Sequence, residues 1–458
     1  MNFDLIVLGS GPGGYVAAIR ASQLGMKVAI VERENLGGIC LNWGCIPTKA
    51  LLKSAQVFNY INHADDYGIS VSKAKPDFEK MIGRSRGVAD GMSKGVTFLM
   101  KKNKITVIEG DGKLARGKKV VVTDTSGSKK EYSADNIIVA TGARARSLPN
   151  IPIDGKKVIG YRKAMTLPKQ PKRMVVIGAG AIGVEFAYIY NAFGTKVTII
   201  EMQKNLLPVE DDEVGAAITK SFTRQGIKCL VDTKVTGTQD NGDSVTLTVE
   251  NAKGTQEITA DVCLVAIGVA PVLPGGMEPE LDRGFIKVGD RYETSIPSVF
   301  ACGDISGPPW LAHTASFEAI QCVEGMFVEG HTPRKVGNFP GCTYAHPQVA
   351  SVGKTERALK EEGVDYKVGN FPYAAIGKAQ ASGDTEGFVK LLFGKEHGEL
   401  LGAHIIGENA TELIAEMGLA LEMECTADEI HSTIHAHPTL AEAIHEATLD
   451  ADGHAIHF

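Results

Sequence analysis

The sequence predicts an α/β protein in which one strand–loop–helix–strand unit occurs twice and a smaller α+β region follows. Three observations support this prediction. The apolar run 4–8 leads into a glycine-rich loop and a helical pattern, and the run 173–177 does the same. Near the end of the chain, apolar runs at 345–352, 387–393 and 401–406 are joined by two helical patterns.

The first unit has the pattern of a dinucleotide-binding Rossmann motif. Its loop places Gly9, Gly11 and Gly14 in a GxGxxG spacing, and the next apolar run ends at Glu32, 23 positions after Gly9. Such glycines permit a tight turn and bring backbone close to a pyrophosphate, which the N–H groups at the helix start bind. The acidic residue accepts hydrogen bonds from ribose hydroxyls. A carboxylate merely solvated at a strand end is the alternative for Glu32.

The second unit repeats the same spacing with Gly178, Gly180, Gly183 and Glu201. Its apolar stretch 174–193 is the most membrane-like of the chain, but a strand, a glycine loop and a helix explain it better than a bilayer span. Two units imply two dinucleotides. A carboxylate at Glu201 would repel the 2′-phosphate of NADP, so NAD is the expected ligand of this unit, although a solvated carboxylate is again the alternative.

Composition narrows the class of protein. The 458 residues carry 48 Lys and Arg against 54 Asp and Glu, a formal net charge of −6, with 43% hydrophobic residues. This balance gives no general attraction for a polyanion, so nucleic-acid binding is not expected. Neither a signal peptide nor a membrane span is visible, and a cytoplasmic location is expected.

Two of the eight cysteines form a close pair, Cys40 and Cys45, immediately after the first unit. In a regular helix, Cα atoms five residues apart are roughly 8–9 Å apart, whereas a disulfide needs about 4.4–6.8 Å. The segment must therefore be distorted, and Gly37, Gly38 and Gly44 allow this. Pro47 suits the first turn of a following helix, which would put Cys45 at a helix N-terminus that favours a thiolate. A redox pair is the favoured interpretation; a zinc site lacks a second ligand pair, and no metal is expected.

The segment CLNWGCIPTK after a GxGPGG loop resembles the pyridine nucleotide–disulfide oxidoreductases, most closely the branch that oxidises dihydrolipoyl groups. The resemblance implies that the first unit binds FAD, tightly but without a covalent bond, and that the second binds NAD. It implies that Cys40 exchanges with substrate and that Cys45 faces the flavin in a redox disulfide. Lys49 resembles the lysine near the flavin, and Glu185 resembles its ion-pair partner.

The resemblance continues along the chain and assigns further cofactor contacts. For FAD these are Gly112, Thr141, Gly142, Asp304, Trp310, Leu311, Ala312 and His313, and for NAD they are Val235 and Gly268. A helix N-cap is the alternative for Asp304. Two residues depart from the pattern: Trp43 replaces a smaller apolar residue, and Val272 stands where asparagine is common.

A general base is expected near the end of the chain. His437, followed by Pro438, lies five positions before Glu442, and this resembles the catalytic pair of the family. Oxidising a dithiol requires proton removal, and imidazole titrates in the useful range. A surface histidine in a His-rich segment, or a metal-binding pair of His435 with His437, are the alternatives.

The resemblance divides the chain into an FAD-binding domain (1–145 and 271–335), an NAD-binding domain (146–270) and a dimerisation domain (336–458). It implies a homodimer in which His437 and Glu442 complete the partner subunit's site. The implied substrates are lipoyl groups on domains of 2-oxo acid dehydrogenase or glycine-cleavage complexes. A glutathione-type reductase would carry basic residues after Ile200, a mercuric reductase would end in paired cysteines, and a purely structural subunit would not need the cysteine pair.

Overall fold

A computed structural model describes residues 2–458. Its strands, in chain order, are β1 Asn2–Leu8, β2 Val28–Glu32, β3 Thr106–Glu109, β4 Asp111–Ala115, β5 Lys119–Thr123, β6 Lys129–Val139, β7 Ala143–Ala145, β8 Val158–Ile159, β9 Arg173–Ile177, β10 Lys196–Ile200, β11 Lys228–Leu230, β12 Lys234–Asp240, β13 Val245–Asn251, β14 Gly254–Ala260, β15 Val262–Val265, β16 Val269–Pro271, β17 Leu281–Asp282, β18 Phe285–Ile286, β19 Val299–Ala301, β20 Gly341–Thr343, β21 Gln348–Gly353, β22 Tyr366–Pro372, β23 Phe388–Gly394 and β24 Leu400–Gly407.

The α-helices are α1 Pro12–Gln23, α2 Gly38–Trp43, α3 Cys45–Asn62, α4 Phe78–Lys102, α5 Tyr161–Ala164, α6 Ala181–Ala192, α7 Asp212–Arg224, α8 Ala312–Phe327, α9 Glu356–Glu362, α10 Gly377–Ser382, α11 Ala410–Glu422, α12 Ala427–Ser432 and α13 Glu442–Asp450. Three short 3₁₀ turns cover Ala64–Tyr67, Asp304–Ser306 and Tyr373–Ala375.

The chain forms two compact units. The first contains residues up to Ala50, Glu79–Arg146 and Gly268–Gly337. Its seven-stranded sheet has the order β3-β2-β1-β6-β5-β4, and β19 pairs with β6. β1 pairs in parallel with β2 and β6, and its alternate apolar side chains are buried in two cores, one on each face of the sheet. The first glycine loop therefore follows the carboxyl end of a central strand.

The second unit contains Leu51–Phe78, Ser147–Ile267 and Asn338–Phe458. A parallel five-stranded sheet, β11-β10-β9-β15-β8, places the second glycine loop after its central strand β9. A three-stranded antiparallel sheet, β12-β13-β14, shares a core of mainly Val, Ile and Leu side chains with it. This reproduces the arrangement that the repeated spacing predicts.

The C-terminal part of the second unit is an antiparallel sheet, β20-β21-β24-β23-β22, with α11 packed on β21 and β24 and α13 packed on β22 and β23. Strands β23 and β24 are buried along most of their length because helices cover the sheet. The predicted fold class, two Rossmann-like regions followed by an α+β region, is confirmed. The four-part division into domains stays a prediction.

Across residues 2–458, none of the helices is both long enough and apolar enough to span a bilayer. The stretch 174–193 forms β9, the glycine loop and α6, as the sequence predicts. Within the same residues, no group of three His, Cys, Asp or Glu side chains is arranged to hold a metal ion.

Candidate active site

The three glycines of the first loop have different roles. A Cβ at Gly9 would lie 2.4 Å from the carbonyl oxygen of Ala140, and one at Gly14 would lie 1.9 Å from that of Gly9. Both positions therefore exclude a side chain, and Gly9 also has a φ of +92°. A Cβ at Gly11 would meet no atom within 4 Å, so this face of the loop is open. The first and third glycines pack the unit, and the second leaves the backbone approachable.

The second loop repeats this arrangement atom for atom. A Cβ at Gly178 would lie 2.5 Å from the carbonyl oxygen of Ala266, and one at Gly183 would lie 2.0 Å from that of Gly178. Gly180 again has open space around it. Since α1 begins after Gly11 and α6 after Gly180 without a side-chain cap, both helix starts offer backbone N–H groups to an anion.

The two acidic residues also have matching contacts. The Glu32 carboxylate accepts from the N–H of Ser10 at 3.0 Å and from its hydroxyl at 2.6 Å. The Glu201 carboxylate accepts from the N–H of Ala179 at 2.7 Å. Each acid thus binds the glycine loop of its own unit, and this fixes the carboxylate at the edge of the cradle. Neither acid is simply solvated, and both cradles suit a dinucleotide pyrophosphate and its ribose.

Cys40 and Cys45 lie on two helices separated by a break. Cys40 is in α2, Gly44 interrupts the helix with φ −137° and ψ −114°, and Cys45 opens α3. The predicted distortion and the helix N-terminal position of Cys45 are confirmed. The two cysteines are half-buried and their side chains are in hydrogen-bond contact, within reach of each other as a redox pair requires.

The two thiols titrate as a pair. The hydrogen bond with Cys45 is the main cause that raises the pKa of Cys40 well above its ordinary value, and burial adds to it. The positive charge of Lys49, four positions after Cys45 on α3, opposes the shift. A second thiolate beside the first is disfavoured, so the reduced pair holds one proton firmly.

Side chains that the sequence analysis did not select hold the cysteine segment in place. Asn42 donates from Nδ2 to the carbonyl oxygens of Leu36 at 3.0 Å and Gly38 at 2.9 Å. Arg86 of α4 donates to the carbonyl oxygen of Asn42 and stacks over the ring of Trp43, 4.5 Å from its centroid. Asn42 could have been predicted, because it is a polar residue between the two cysteines. No local sequence pattern around Arg86 predicts its contact with this segment.

The contact between Arg86 and Trp43 gives a structural reason for the first departure from the family pattern. The large ring of Trp43 forms a cation–π contact that a smaller apolar residue could not form. The other departure has no effect on the bonds at its position. Val272 donates its backbone N–H to the carbonyl oxygen of Gly142 at 2.9 Å, and its own carbonyl oxygen accepts from the Thr141 hydroxyl at 2.6 Å. Both bonds use the backbone, so the side chain at 272 is not required for them.

Asp304 begins the turn Asp304–Ser306 at the end of β19, with Gly303 as its cap, and does not cap an α-helix. Burial raises the pKa of Asp304 to about 6. The neighbouring Glu318, which the sequence analysis missed, accepts from the N–H of Gly303 at 2.6 Å. A half-buried carboxylate at the carboxyl end of this sheet suits the hydroxyls of a bound FAD.

The remaining residues that the sequence predicts as FAD or NAD contacts lie in strands, at a helix start and in loops. Gly112 lies in β4, where a Cβ would come 2.9 Å from Leu8. Leu311 precedes α8, which begins with Ala312 and His313, and the Trp310 ring lies 5.7 Å from that of Phe285. For NAD, the Val235 side chain is packed in the core, so only its backbone is suited to meet a ligand, and Gly268 has a φ of +97°.

Glu185 is buried in α6 and accepts from the N–H of Tyr344 at 3.0 Å. This tie explains how a carboxylate is held in an otherwise apolar helix. Its predicted ion pair with Lys49 stays a prediction.

His437 and Glu442 meet as the sequence predicts. The Nδ1 of His437 lies 2.8 Å from Oε1 of Glu442, and Oε2 of that carboxylate accepts from the N–H of Thr439 at 2.9 Å. Although burial works against it, the bond from His437 lowers the pKa of Glu442 overall. A carboxylate on Nδ1 leaves Nε2 as the basic nitrogen, and 77% of the His437 side chain is exposed.

Two dinucleotide cradles, a dithiol pair and a histidine–carboxylate pair define a class of flavin- and nicotinamide-dependent oxidoreductases. Residues 3–319 match the family model of the pyridine nucleotide-disulphide oxidoreductases, and residues 339–448 match the dimerisation domain of that family. The chain belongs to the pyridine nucleotide-disulphide oxidoreductase family. Its cofactors are FAD and NAD, and the dimerisation domain supports a homodimer.

Relatives match over the full length. Dihydrolipoyl dehydrogenase of Zymomonas mobilis is 48% identical, with 100% of this chain and 99% of the relative covered. Dihydrolipoyl dehydrogenase of Rhizobium etli is 46% identical, with 99% of each chain covered. Among solved structures, LpdA from Mycobacterium tuberculosis has a TM-score of 0.89 at 25% identity, covering 97% of this chain and 99% of the other. These findings confirm the predicted family, fold class, enzyme class and cofactors.

Proposed function

We propose that this protein is a dihydrolipoyl dehydrogenase: it oxidises dihydrolipoyl groups carried by other proteins and transfers the electrons to NAD. The single observation that carries the proposal is the Cys40–Cys45 dithiol, held across a helix break directly after an FAD cradle. Full-length relatives of that name at 45–48% identity support it.

The reaction begins with the cysteines joined as a disulfide. His437 of the partner subunit takes a proton from one substrate thiol through Nε2, while Glu442 stabilises the resulting imidazolium. The substrate thiolate attacks Sγ of Cys40, a mixed disulfide forms, the Cys40–Cys45 bond breaks, and Cys45 leaves as a thiolate. The position of Cys45 at the start of α3 favours that charge.

The second substrate thiol then attacks the substrate sulfur of the mixed disulfide and gives its proton to the departing Cys40 sulfur, so the lipoyl disulfide forms and Cys40 is released as a thiol. Two electrons have moved from the substrate to the cysteine pair. Bound FAD would supply the two-electron chemistry that links the cysteine pair, through Cys45, to NAD. The remaining contribution of the chain is positional, since the two glycine loops and their acids, Glu32 and Glu201, hold the two dinucleotides.

We infer that the partners of this protein are the lipoyl domains of 2-oxo acid dehydrogenase or glycine-cleavage complexes, and that the enzyme acts in the cytoplasm. The carboxylate of Glu201, fixed by the N–H of Ala179, supports NAD over NADP because a carboxylate at this position would repel the 2′-phosphate of NADP.

The direct test is a paired assay of the purified FAD-loaded protein. With dihydrolipoamide and NAD we expect rapid NADH formation, and with glutathione disulfide and NADPH we expect essentially no turnover. Turnover of glutathione disulfide with NADPH, together with inactivity toward dihydrolipoamide, would contradict the proposal.

A further inference from the structure

Two neighbouring residues of α4 bind the backbone on opposite sides of the break between the two cysteine helices. The guanidinium of Arg86 donates to the carbonyl oxygen of Asn42, which precedes the break at Gly44. The hydroxyl of Ser85 donates to the carbonyl oxygen of Pro47 at 3.0 Å, in the first turn after the break. We call Ser85 and Arg86 the α4 clamp.

The groups that form the α4 clamp have little freedom to move. Ser85 is fully buried, so water does not compete for its hydroxyl. The Arg86 guanidinium lies 4.5 Å from the centroid of the Trp43 ring, and this cation–π contact holds it beside the segment between the cysteines. Asn42 is only 5% exposed and donates to two carbonyl oxygens of the residues before it. The segment is therefore held from two directions.

Helix α4 is itself fixed in the core, so it provides a rigid support for these bonds. Val96 and Met100 of α4 share a buried hydrophobic cluster with Leu41 of α2. One position before the α4 clamp, Arg84 donates to the carbonyl oxygen of Ala50 at 2.8 Å, further along α3. Helix α4 thus contacts both cysteine helices at several points.

The glycine at the break is the reason why such support matters for the chemistry. A disulfide needs Cα atoms about 4.4–6.8 Å apart. Because a glycine backbone has wide conformational freedom, Gly44 would let the two sulfur atoms separate once their bond is open. Two reacting groups that are held in the right geometry instead react as if at a high effective concentration. Carbonyl groups bound on both sides of Gly44 limit the separation.

We propose that Ser85 and Arg86 are positioning residues for the redox pair: by binding the carbonyl oxygens on either side of Gly44, they keep Cys40 and Cys45 at the separation at which their bond closes. The inference rests on the proposed function, because it takes these cysteines as the redox pair of that reaction. The α4 clamp reduces the freedom that the open dithiol would gain, so it favours the disulfide over the dithiol at equilibrium.

The test uses three substitutions in the α4 clamp and one matched control. Arg86→Met removes the donors but keeps a long side chain, whereas Arg86→Lys keeps a cation for the Trp43 ring and N–H donors for the carbonyl. Ser85→Ala removes only a hydroxyl. The control is Arg291→Met, because the Arg291 guanidinium also donates to a backbone carbonyl of the same unit, that of Gly325 near the end of α8.

The FAD-loaded enzyme is equilibrated without oxygen in mixtures of reduced and oxidised dithiothreitol. Reduction of the cysteine pair takes two electrons and two protons from the reagent dithiol, which closes to its cyclic disulfide. Free thiols are then alkylated, and mass spectrometry of the peptide that carries Cys40 and Cys45 gives the reduced fraction. Flavin content and Tm are measured on the same samples.

For Arg86→Met and Ser85→Ala we expect the equilibrium to move toward the dithiol by roughly three- to tenfold, the size of a lost hydrogen bond. A tenfold change corresponds to a reduction potential about 30 mV higher. Arg86→Lys should restore most of the wild-type equilibrium. Arg291→Met should lower Tm to a similar extent and leave the equilibrium where it is in the wild-type enzyme.

A wild-type equilibrium in both Arg86→Met and Ser85→Ala, or an equal shift in Arg291→Met, would overturn the inference, since a purely structural role changes Tm alone. Ser85→Ala is the smallest change and decides the matter if Arg86→Met does not fold. A wild-type enzyme whose two cysteines never form a disulfide in these mixtures would instead refute the proposed function. The two failures are therefore distinguishable in one set of samples.

Discussion

At the residue scale, the chemistry depends on a few groups whose surroundings set their protonation. The Cys40 thiol is held protonated beside Cys45, whereas the Glu442 carboxyl is held ionised by the bond from His437 and by the Thr439 N–H. A pair in which one thiol keeps its proton leaves the other to carry the negative charge. Groups with opposite protonation preferences are what acid–base chemistry at neutral pH requires.

The role of His437 can be tested by replacing it. Glutamine at position 437 keeps a polar side chain of similar size but cannot accept a proton, and a general base contributes roughly 10²–10⁴-fold in rate. We therefore expect His437→Gln to lower kcat for dihydrolipoamide oxidation by that order, while the bound flavin and its absorbance stay unchanged. Turnover at the wild-type rate would remove His437 from the mechanism, and His431→Gln, which alters an exposed histidine of α12, is the matched control.

At the element scale, the glycines of the two strand–loop–helix units have the same two roles: some allow close packing, and others leave the loop open to a ligand. Gly14 and Gly183 are needed for packing, because a side chain there would overlap the carbonyl oxygen at the start of the loop. Gly11 and Gly180 have open space around them, so a side chain there would obstruct only a ligand that approaches the loop. The sequence alone predicts both loops, since their spacing and flanking patterns are local, but it does not separate these two roles.

A pair of alanine substitutions in the second loop separates them. Gly183→Ala puts a methyl group 2.0 Å from the carbonyl oxygen of Gly178, and such overpacking typically costs about 1–3 kcal/mol, so Tm should fall. Gly180→Ala has room, so Tm should hold while KM for NAD rises because the methyl group occupies the approach of the pyrophosphate. Thermal melts and steady-state kinetics check both. Equal Tm losses in the two variants would contradict the assignment.

At the scale of the whole molecule, contacts between distant segments limit what the sequence could reveal. Lys390 of β23 is fully buried, and its ammonium lies 2.9 Å from Asp211 and 2.5 Å from Glu356. Asp211 also caps α7 by accepting from the N–H of Glu213. With Glu213 as a third acid 3.3 Å away, this charge cluster ties the sheet that carries β23 to α7 and α9. The local sequence of β23 is typical of a buried apolar strand and does not predict these ion pairs.

The parts that the sequence did predict are those with local signatures or with a known family pattern. The helix break between the cysteines follows from their spacing and from Gly44, and the His437–Glu442 bond follows from a resemblance to the family motif. The supporting contacts of Asn42, Arg86 and Glu318 depend on chain segments brought together only by folding. Backbone donors such as the N–H of Ala179 leave no side-chain signature at all.

The central claim, that Cys40 and Cys45 exchange electrons with a bound flavin, is tested most directly by anaerobic titration of the FAD-loaded enzyme with dihydrolipoamide. The wild-type protein should develop a long-wavelength absorbance band, because a Cys45 thiolate would lie against the oxidised flavin, and Cys40→Ser should retain that thiolate. Cys45→Ser should show no such band while still binding flavin. A band of undiminished strength in Cys45→Ser would contradict the account.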